Sequence, residues 1–265
     1  MKSPSVLNYE IRPCKFAERK MLLASFARIL GVFKQKYQYV GFGGLTFTDF
    51  KLFHKELNIN SMFSIEEKYN INKLNFNKPF SCIEIKHGNS TGMLAEIDLT
   101  TPSIIWLDYD NVLSMTCFAD IKILFDALPH GSIFVMSCNR QLRNDEADPI
   151  RPYTRDELNE KFINLVPYDI EDNCCTDINA SQTIRRMLEA YCNKVIEDRN
   201  REGKENLSFY PLYNIKYEEY RGARMFTYGG IILNSDYDIN KLNVFDFKFI
   251  NTRNPYEISI PNITY

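Results

Sequence analysis

Leu22, Phe26, Ile29, Leu30 and Phe33 recur every three or four residues within 15–36, the spacing of a helix that buries one face. Its other face reads as basic, with Arg12, Lys15, Arg19, Lys20, Arg28, Lys34 and Lys36 set against Glu10 and Glu18. From residue 37 the period changes. Short apolar runs predict strands over 37–42, 61–66, 81–86, 103–108 and 132–137, and helix-like segments over 45–57, 91–97 and 112–127 fall between them. Apolar strands alternating with helices are the pattern of a parallel sheet with crossover helices. The stretch 67–80 is Asn-rich and predicts no clear helix, and the polar residues 139–152 predict a long loop that could close over a site. Ile184, Met187, Leu188, Tyr191 and Val195 predict a second amphipathic helix over 177–199. Two aromatic, extended runs, 208–218 and 224–233, flank Glu219-Tyr220-Arg221-Gly222 and read as an antiparallel hairpin. The expected organisation is a basic amphipathic helical extension over 1–36, a Rossmann-like α/β domain over 37–235 and a tail over 236–265.

Composition narrows this picture only in places. With 45% hydrophobic and 25% charged residues, the chain has the makeup of a globular protein with one large core. A formal net charge of −2 gives no global signal for nucleic acid. Cys14, Cys82, Cys117, Cys138, Cys174, Cys175 and Cys192 are odd in number and scattered, which suits neither a disulfide framework nor a zinc ribbon and predicts a reducing cytoplasm. Neither a signal peptide nor a membrane span is expected, because no stretch approaches the roughly 20 apolar residues needed to cross a bilayer. His54, His87 and His130 stand at no metal-ligand spacing, so no metal is expected.

The first candidate for chemistry is Gly41-Phe42-Gly43-Gly44, between the first strand and its helix. Glycine lets the backbone turn tightly and approach a ligand, and the helix that follows offers its positive end. The plainer reading is a tight turn with no ligand. Glu66 ends the second strand about 20 residues further on, the offset at which a carboxylate accepts hydrogen bonds from ribose hydroxyls; a solvated carboxylate is its alternative. The second candidate is Asp108-Tyr109-Asp110 at the carboxyl end of the fourth strand, the edge at which open α/β sheets hold ligands. Asp108 or Asp110 could orient or deprotonate a hydroxyl or hold a cation, while Asp110 or Asn111 could merely cap the next helix. Lys15 and Arg19, one helical turn apart and close to Arg12, could grip a phosphate or carboxylate of a substrate, or form a solvated face. Tyr228 and its glycines, in the hairpin, read as strand sooner than as pocket wall, and Cys174-Cys175 lacks an evident histidine base.

Residues 39–44, Glu66, the Leu107-Asp108-Tyr109-Asp110 strand end and the final hairpin together resemble a divergent class I S-adenosylmethionine-dependent methyltransferase, similar to bacterial O-methyltransferase-like proteins. The resemblance spans roughly 37–233 and implies a mostly parallel sheet into which the last strand inserts antiparallel. It further implies that Gly41, Gly43 and Gly44 face the methionine part of S-adenosylmethionine, that Glu66 binds ribose, and that Lys86-His87-Gly88 helps to hold adenine. Two features depart from the family. Tyr39 or Val40 replaces the usual acidic residue ahead of the glycines, and the strand end lacks the Asn/Asp-Pro-Pro-Tyr/Phe sequence of nucleic-acid amino methyltransferases. An oxygen acceptor is therefore expected, whether a small molecule, a nucleotide or RNA. The alternatives are an inactive binding or scaffolding subunit that docks a protein partner or a second copy, and a nicotinamide oxidoreductase. The last is disfavoured because Thr46 stands where Gly-x-Gly-x-x-Gly requires its third glycine.

Overall fold

The computed structural model describes residues 12–203, 206–219, 222 and 224–260. Glu10, the hairpin-turn residues Tyr220 and Arg221, and 261–265 lie outside them. In chain order the elements are α1 (Pro13–Phe33), β1 (Gln38–Gly41), α2 (Thr48–Leu57), β2 (Met62–Glu66), α3 (Ile71–Asn77), β3 (Ile83–His87), α4 (Ser90–Leu94), β4 (Ser103–Val112), α5 (Met115–Ala127), β5 (Ile133–Asn139), β6 (Arg143–Asn144), β7 (Arg151–Pro152), α6 (Arg155–Lys161), α7 (Ala180–Gly203), β8 (Leu207–Glu218), β9 (Arg224–Asn234) and β10 (Tyr256–Ile258).

Eight strands form one sheet in the order β10-β8-β9-β5-β4-β1-β2-β3. The first five are mutually parallel, and β9 enters antiparallel beside β5 with Ser137 opposite Thr227. The fold is thus the α/β, mostly parallel sheet with a closing antiparallel hairpin that the resemblance implies. Side-chain alternation explains why both faces are apolar. Val40, Ile65, Ile105, Leu107, Phe134 and Met136 pack on one side with α5 and α7. Tyr39, Met62, Ile104, Trp106, Ile133 and Val135 pack on the other with Leu22, Phe26 and Ile29 of α1 and Phe50 and Phe53 of α2. Each such side chain, fully removed from water, contributes roughly 1.5–3 kcal/mol. After β9, a 3-10 turn over Ile239–Leu242 leads to β10, which adds parallel to β8.

Three local expectations are corrected. The Asn-rich stretch does hold a helix, α3, started by Asn70, whose side chain accepts from the Asn72 amide. The fourth strand runs on to Val112 through an irregularity beyond Asp108, and α5 begins only after Ser114, so neither Asp110 nor Asn111 caps it. The loop after β5 contains the β6–β7 pair and leads into α6, whose Thr154 and Glu157 form a reciprocal capping box. Among the described residues no helix is long and apolar enough to cross a membrane.

Candidate functional site

Parallel register brings the strand ends together at one edge. Gly41 lies opposite both Ser64 of β2 and Trp106 of β4, Glu66 lies opposite His87, and Asp108 lies opposite Ser137. The glycine turn, Glu66, His87 and the two aspartates therefore share the carboxyl edge, where ligands of open α/β sheets bind.

The glycines differ in what they permit. A Cβ on Gly41 would lie 2.9 Å from the Trp106 carbonyl oxygen and 2.6 Å from the Tyr39 hydroxyl, and one on Gly43 would lie 2.3 Å from Ser64 Oγ. Both are required by close approach within the protein. Gly44 instead has a φ of +54° and open space on its side, with no atom within 4 Å of a Cβ there. Directly beneath the turn, Ser64 Oγ is buried and has no hydrogen-bond partner in the protein.

Glu66 Oε1 accepts the Lys68 amide at 2.9 Å, and burial raises its carboxyl pKa above the ordinary value. His87 is turned outward, with Nε2 donating to the Tyr69 carbonyl at 2.9 Å. On β4, on the other side of β1, Tyr109 stands edge-on to Phe42 of the glycine turn at 5.2 Å. Its hydroxyl donates to Asp120 of α5 at 2.6 Å, and Thr91 at the start of α4 donates to the same carboxylate at 2.5 Å.

The two aspartates of β4 have opposite surroundings. Asp108 Oδ1 accepts from Lys15 Nζ at 2.7 Å. Asp110 is open to solvent, 3.9 Å from Lys68 Nζ; partial enclosure, and then the Asp108 charge, raise its pKa.

The basic N-terminal residues differ most from expectation. Lys15 and Arg19 do project together, but inward: Lys15 is 1% exposed and Arg19 is buried. Lys15 Nζ also contacts Glu18 Oε2 at 2.8 Å and lies 4.4 Å from the centre of the Trp106 ring, while Arg19 Nε pairs with Asp49 in the first turn of α2. Arg12 Nε is 3.9 Å from Glu219 Oε1, which also accepts the Lys15 amide. Neither Lys15 nor Arg19 forms a solvated face. Glu18 is fully buried and closes a ring of hydrogen bonds. Trp106 Nε1 donates to Ser137 Oγ at 3.0 Å, Ser137 lies 2.7 Å from Thr227 Oγ1, Thr227 donates to Glu18, and Glu18 holds Lys15 above Trp106. Tyr217 also donates to Glu18, at 3.2 Å. Burial and then nearby carboxylates drive the phenols of Tyr39 and Tyr217 far above their ordinary pKa, Tyr39 through Asp49 and Asp108 and Tyr217 through Glu18 and Asp108.

Sequence reasoning passed over Glu18, Asp49, Asp120, Glu219 and Thr227. Only Glu18 left a local signal, its three-residue offset from Lys15; the other contacts join residues far apart in the chain. The remaining candidates lie elsewhere. Cys174 and Cys175 are buried with sulfurs 3.6 Å apart, and burial raises the Cys175 thiol pKa, the reverse of an activated nucleophile. Tyr228 is buried within β9. No group of three or more His, Cys, Asp or Glu among the described residues is placed to hold a metal ion. A cleft of about 490 Å³ opens at the far end of β2 and β3, beside Ser61, Cys82 and Lys78, and touches none of the residues at the carboxyl edge.

Several solved structures are similar in fold. N-methyltransferase NodS from Bradyrhizobium japonicum, in complex with S-adenosyl-L-homocysteine, is 7% identical with a TM-score of 0.46 over 87% of this chain and 93% of that one. Trm1 from Pyrococcus horikoshii, in complex with S-adenosyl-L-methionine, is 9% identical with a TM-score of 0.46 over 85% and 57%. Human N-acetylserotonin methyltransferase, in complex with SAM, is 10% identical with a TM-score of 0.40 over 80% and 51%. The chain thus spans about half the length of some of these, 51% of the human enzyme and 57% of Trm1. No curated protein matches the sequence. The Putative O-methyltransferase family matches residues 7–265, almost the whole chain, and the protein belongs to that family.

Proposed function

We propose that the protein transfers the methyl group of S-adenosylmethionine to an oxygen acceptor, with Asp110 accepting the acceptor's proton and Asp108 holding the site's charge in place. The observation that carries this reading is the pair of carboxylates at one strand end in contrasting environments. Asp108 is fixed by Lys15, whereas Asp110 faces solvent with a raised pKa. Carboxylates separated in this way divide the work between an electrostatic group and a proton acceptor, and a raised pKa makes the acceptor a stronger base.

The residues present fit the cofactor. Gly44 leaves open space beside the turn, Ser64 Oγ beneath it lacks a protein partner, and the Glu66 carboxylate two residues along β2 offers acceptors for ribose hydroxyls. When bound, S-adenosylmethionine supplies an electrophilic methyl group on a sulfonium. The chain's own task is to align the acceptor oxygen and remove its proton, and the solvent-facing Asp110 is the group we assign to both. Gly41 and Gly43 keep the turn close to β4 and β2, Tyr109 and Phe42 wall its flank, and His87 marks the β3 edge toward the adenine end. Membership of the O-methyltransferase family supports oxygen as the acceptor atom.

Calorimetry with S-adenosylmethionine, S-adenosylhomocysteine and NAD tests the reading. The wild type is expected to bind the first two and not NAD, and Glu66→Ala to weaken both by about tenfold, the loss of a charged hydrogen bond to ribose. Binding of none of the three overturns it.

A further inference from the structure

Among the described residues, the carboxyl edge holds more carboxylates than cations. The buried network beneath the glycine turn contains, among these residues, the carboxylates of Glu18, Asp49 and Asp108 and the cations of Lys15 and Arg19. Arg12 and Glu219 face the same network and offset one another, as Lys68 and Asp110 do at the rim, while Glu66 adds a further carboxylate there. Lys15 is claimed by two carboxylates at once, 2.7 Å and 2.8 Å away. Buried charge without a counter-charge is costly, and a bound cation is one of the ways to offset it.

The surplus lies beside the glycine turn. Asp108 follows Trp106, whose carbonyl oxygen nearly touches Gly41, and Lys15 sits over the Trp106 ring. Tyr39, one of the two positions at which the resemblance implies an acid, instead places a buried phenol under Gly41. Ser64 Oγ is a second, independent sign: fully buried, without a protein partner and packed under Gly43, it is a polar group left for a ligand at the same turn.

Building on the cofactor reading above, we infer that this ion network recognises the positive sulfonium charge of the methyl donor. Among the described residues the network holds three carboxylates and two cations, and the donor supplies a third cation. Glu18 is a positioning residue, acting through Lys15 and Asp108. The charge that an acid ahead of the glycines would provide is relocated to the underside of α1 and the end of β4. Methyl transfer leaves a neutral thioether at the sulfur and releases the acceptor's proton, so the spent product no longer offsets the surplus and yields to fresh donor.

The test compares S-adenosylmethionine with S-adenosylhomocysteine by calorimetry in the wild type, Glu18→Gln and Asp108→Asn. Each variant removes one negative charge, and Asp108 sits at a partly open strand end, which keeps that variant folded if loss of Glu18 does not. Circular dichroism verifies folding. Loss of one charge from the network is expected to weaken donor binding about tenfold while product binding changes less than about twofold. An unchanged donor-to-product ratio in a folded variant overturns this inference and leaves the cofactor reading standing. Failure of the wild type to bind either ligand overturns both.

Discussion

Glu66 shows at a single residue what the proposed ribose contact costs in stability. Burial raises its pKa in the folded protein above the value of about 4.5 it has when free. The unfolded chain therefore gives up this proton more readily, and the contribution of Glu66 to stability falls as pH rises through the interval between the two pKa values. Above that interval, Glu66→Gln is expected to melt at the same temperature as wild type or higher, and to bind S-adenosylmethionine more weakly. A thermal scan at pH 4 and pH 8 checks the first half: the variant should gain on wild type at pH 8. Asp110 follows the same sign for a different purpose. With Asp110 as the proton acceptor proposed above, its raised pKa places the acid limb of the pH profile above the ordinary aspartate range, so kcat/KM on a hydroxyl acceptor should rise with pH through that pKa, and Asp110→Asn should abolish the limb with donor binding intact. Both residues were legible in the sequence because a carboxylate at a predicted strand end is conspicuous. Glu18 left only its three-residue offset from Lys15, since the rest of what makes it matter is Thr227 and Tyr217, some two hundred positions away.

Among the elements, legibility followed burial. β1, β4 and β5, buried along their paired lengths, read as apolar runs, and even the edge strand β3 shows the alternation of Ile83 and Ile85 with polar residues, so the first five were visible. α3 was not: Leu74 is its one fully buried side chain, Phe76 is 89% exposed, and asparagines elsewhere in the helix hide its period. The polar end of β4 was missed for a related reason, because Asp108 to Asn111 look like a loop although backbone pairing carries the strand to Val112. What holds that extension against its neighbours is Asp120, which is fully buried on α5 and gathers Tyr109 from β4 and Thr91 from α4. Asp120→Ala leaves two hydroxyls without their acceptor and is expected to cost about 3 kcal/mol, as for lost hydrogen bonds to a buried charge. Urea denaturation measures this. A loss below about 0.5 kcal/mol, typical of an unconstrained surface change, would show that the three elements are held by apolar packing alone.

At the scale of the molecule, α1 is tied to α2 and to the segment before β10 by ion pairs that differ in kind along its length. Near its start, Arg19 pairs with Asp49 inside the protein, where water and salt do not screen the interaction. Further along, Arg28 pairs with Asp246 at the surface, with side chains 32% and 66% exposed. Sequence periodicity predicted the helix but not this division, because a basic face looks the same whether its partners are solvent or distant carboxylates. Removing one partner of a buried pair strands the other charge, which typically costs about 3–5 kcal/mol, whereas an exposed pair is worth about 0–1 kcal/mol. Arg19→Met is therefore expected to lower stability by about 3 kcal/mol, equally in 50 mM and 500 mM salt, and Arg28→Met by less than about 1 kcal/mol, with the difference vanishing at high salt. If the two variants lose the same amount, or if the Arg19 effect fades with salt, then the underside of α1 is wetter than its burial implies, and the ion network beneath the glycine turn cannot act as the low-dielectric charge reader assigned to it above.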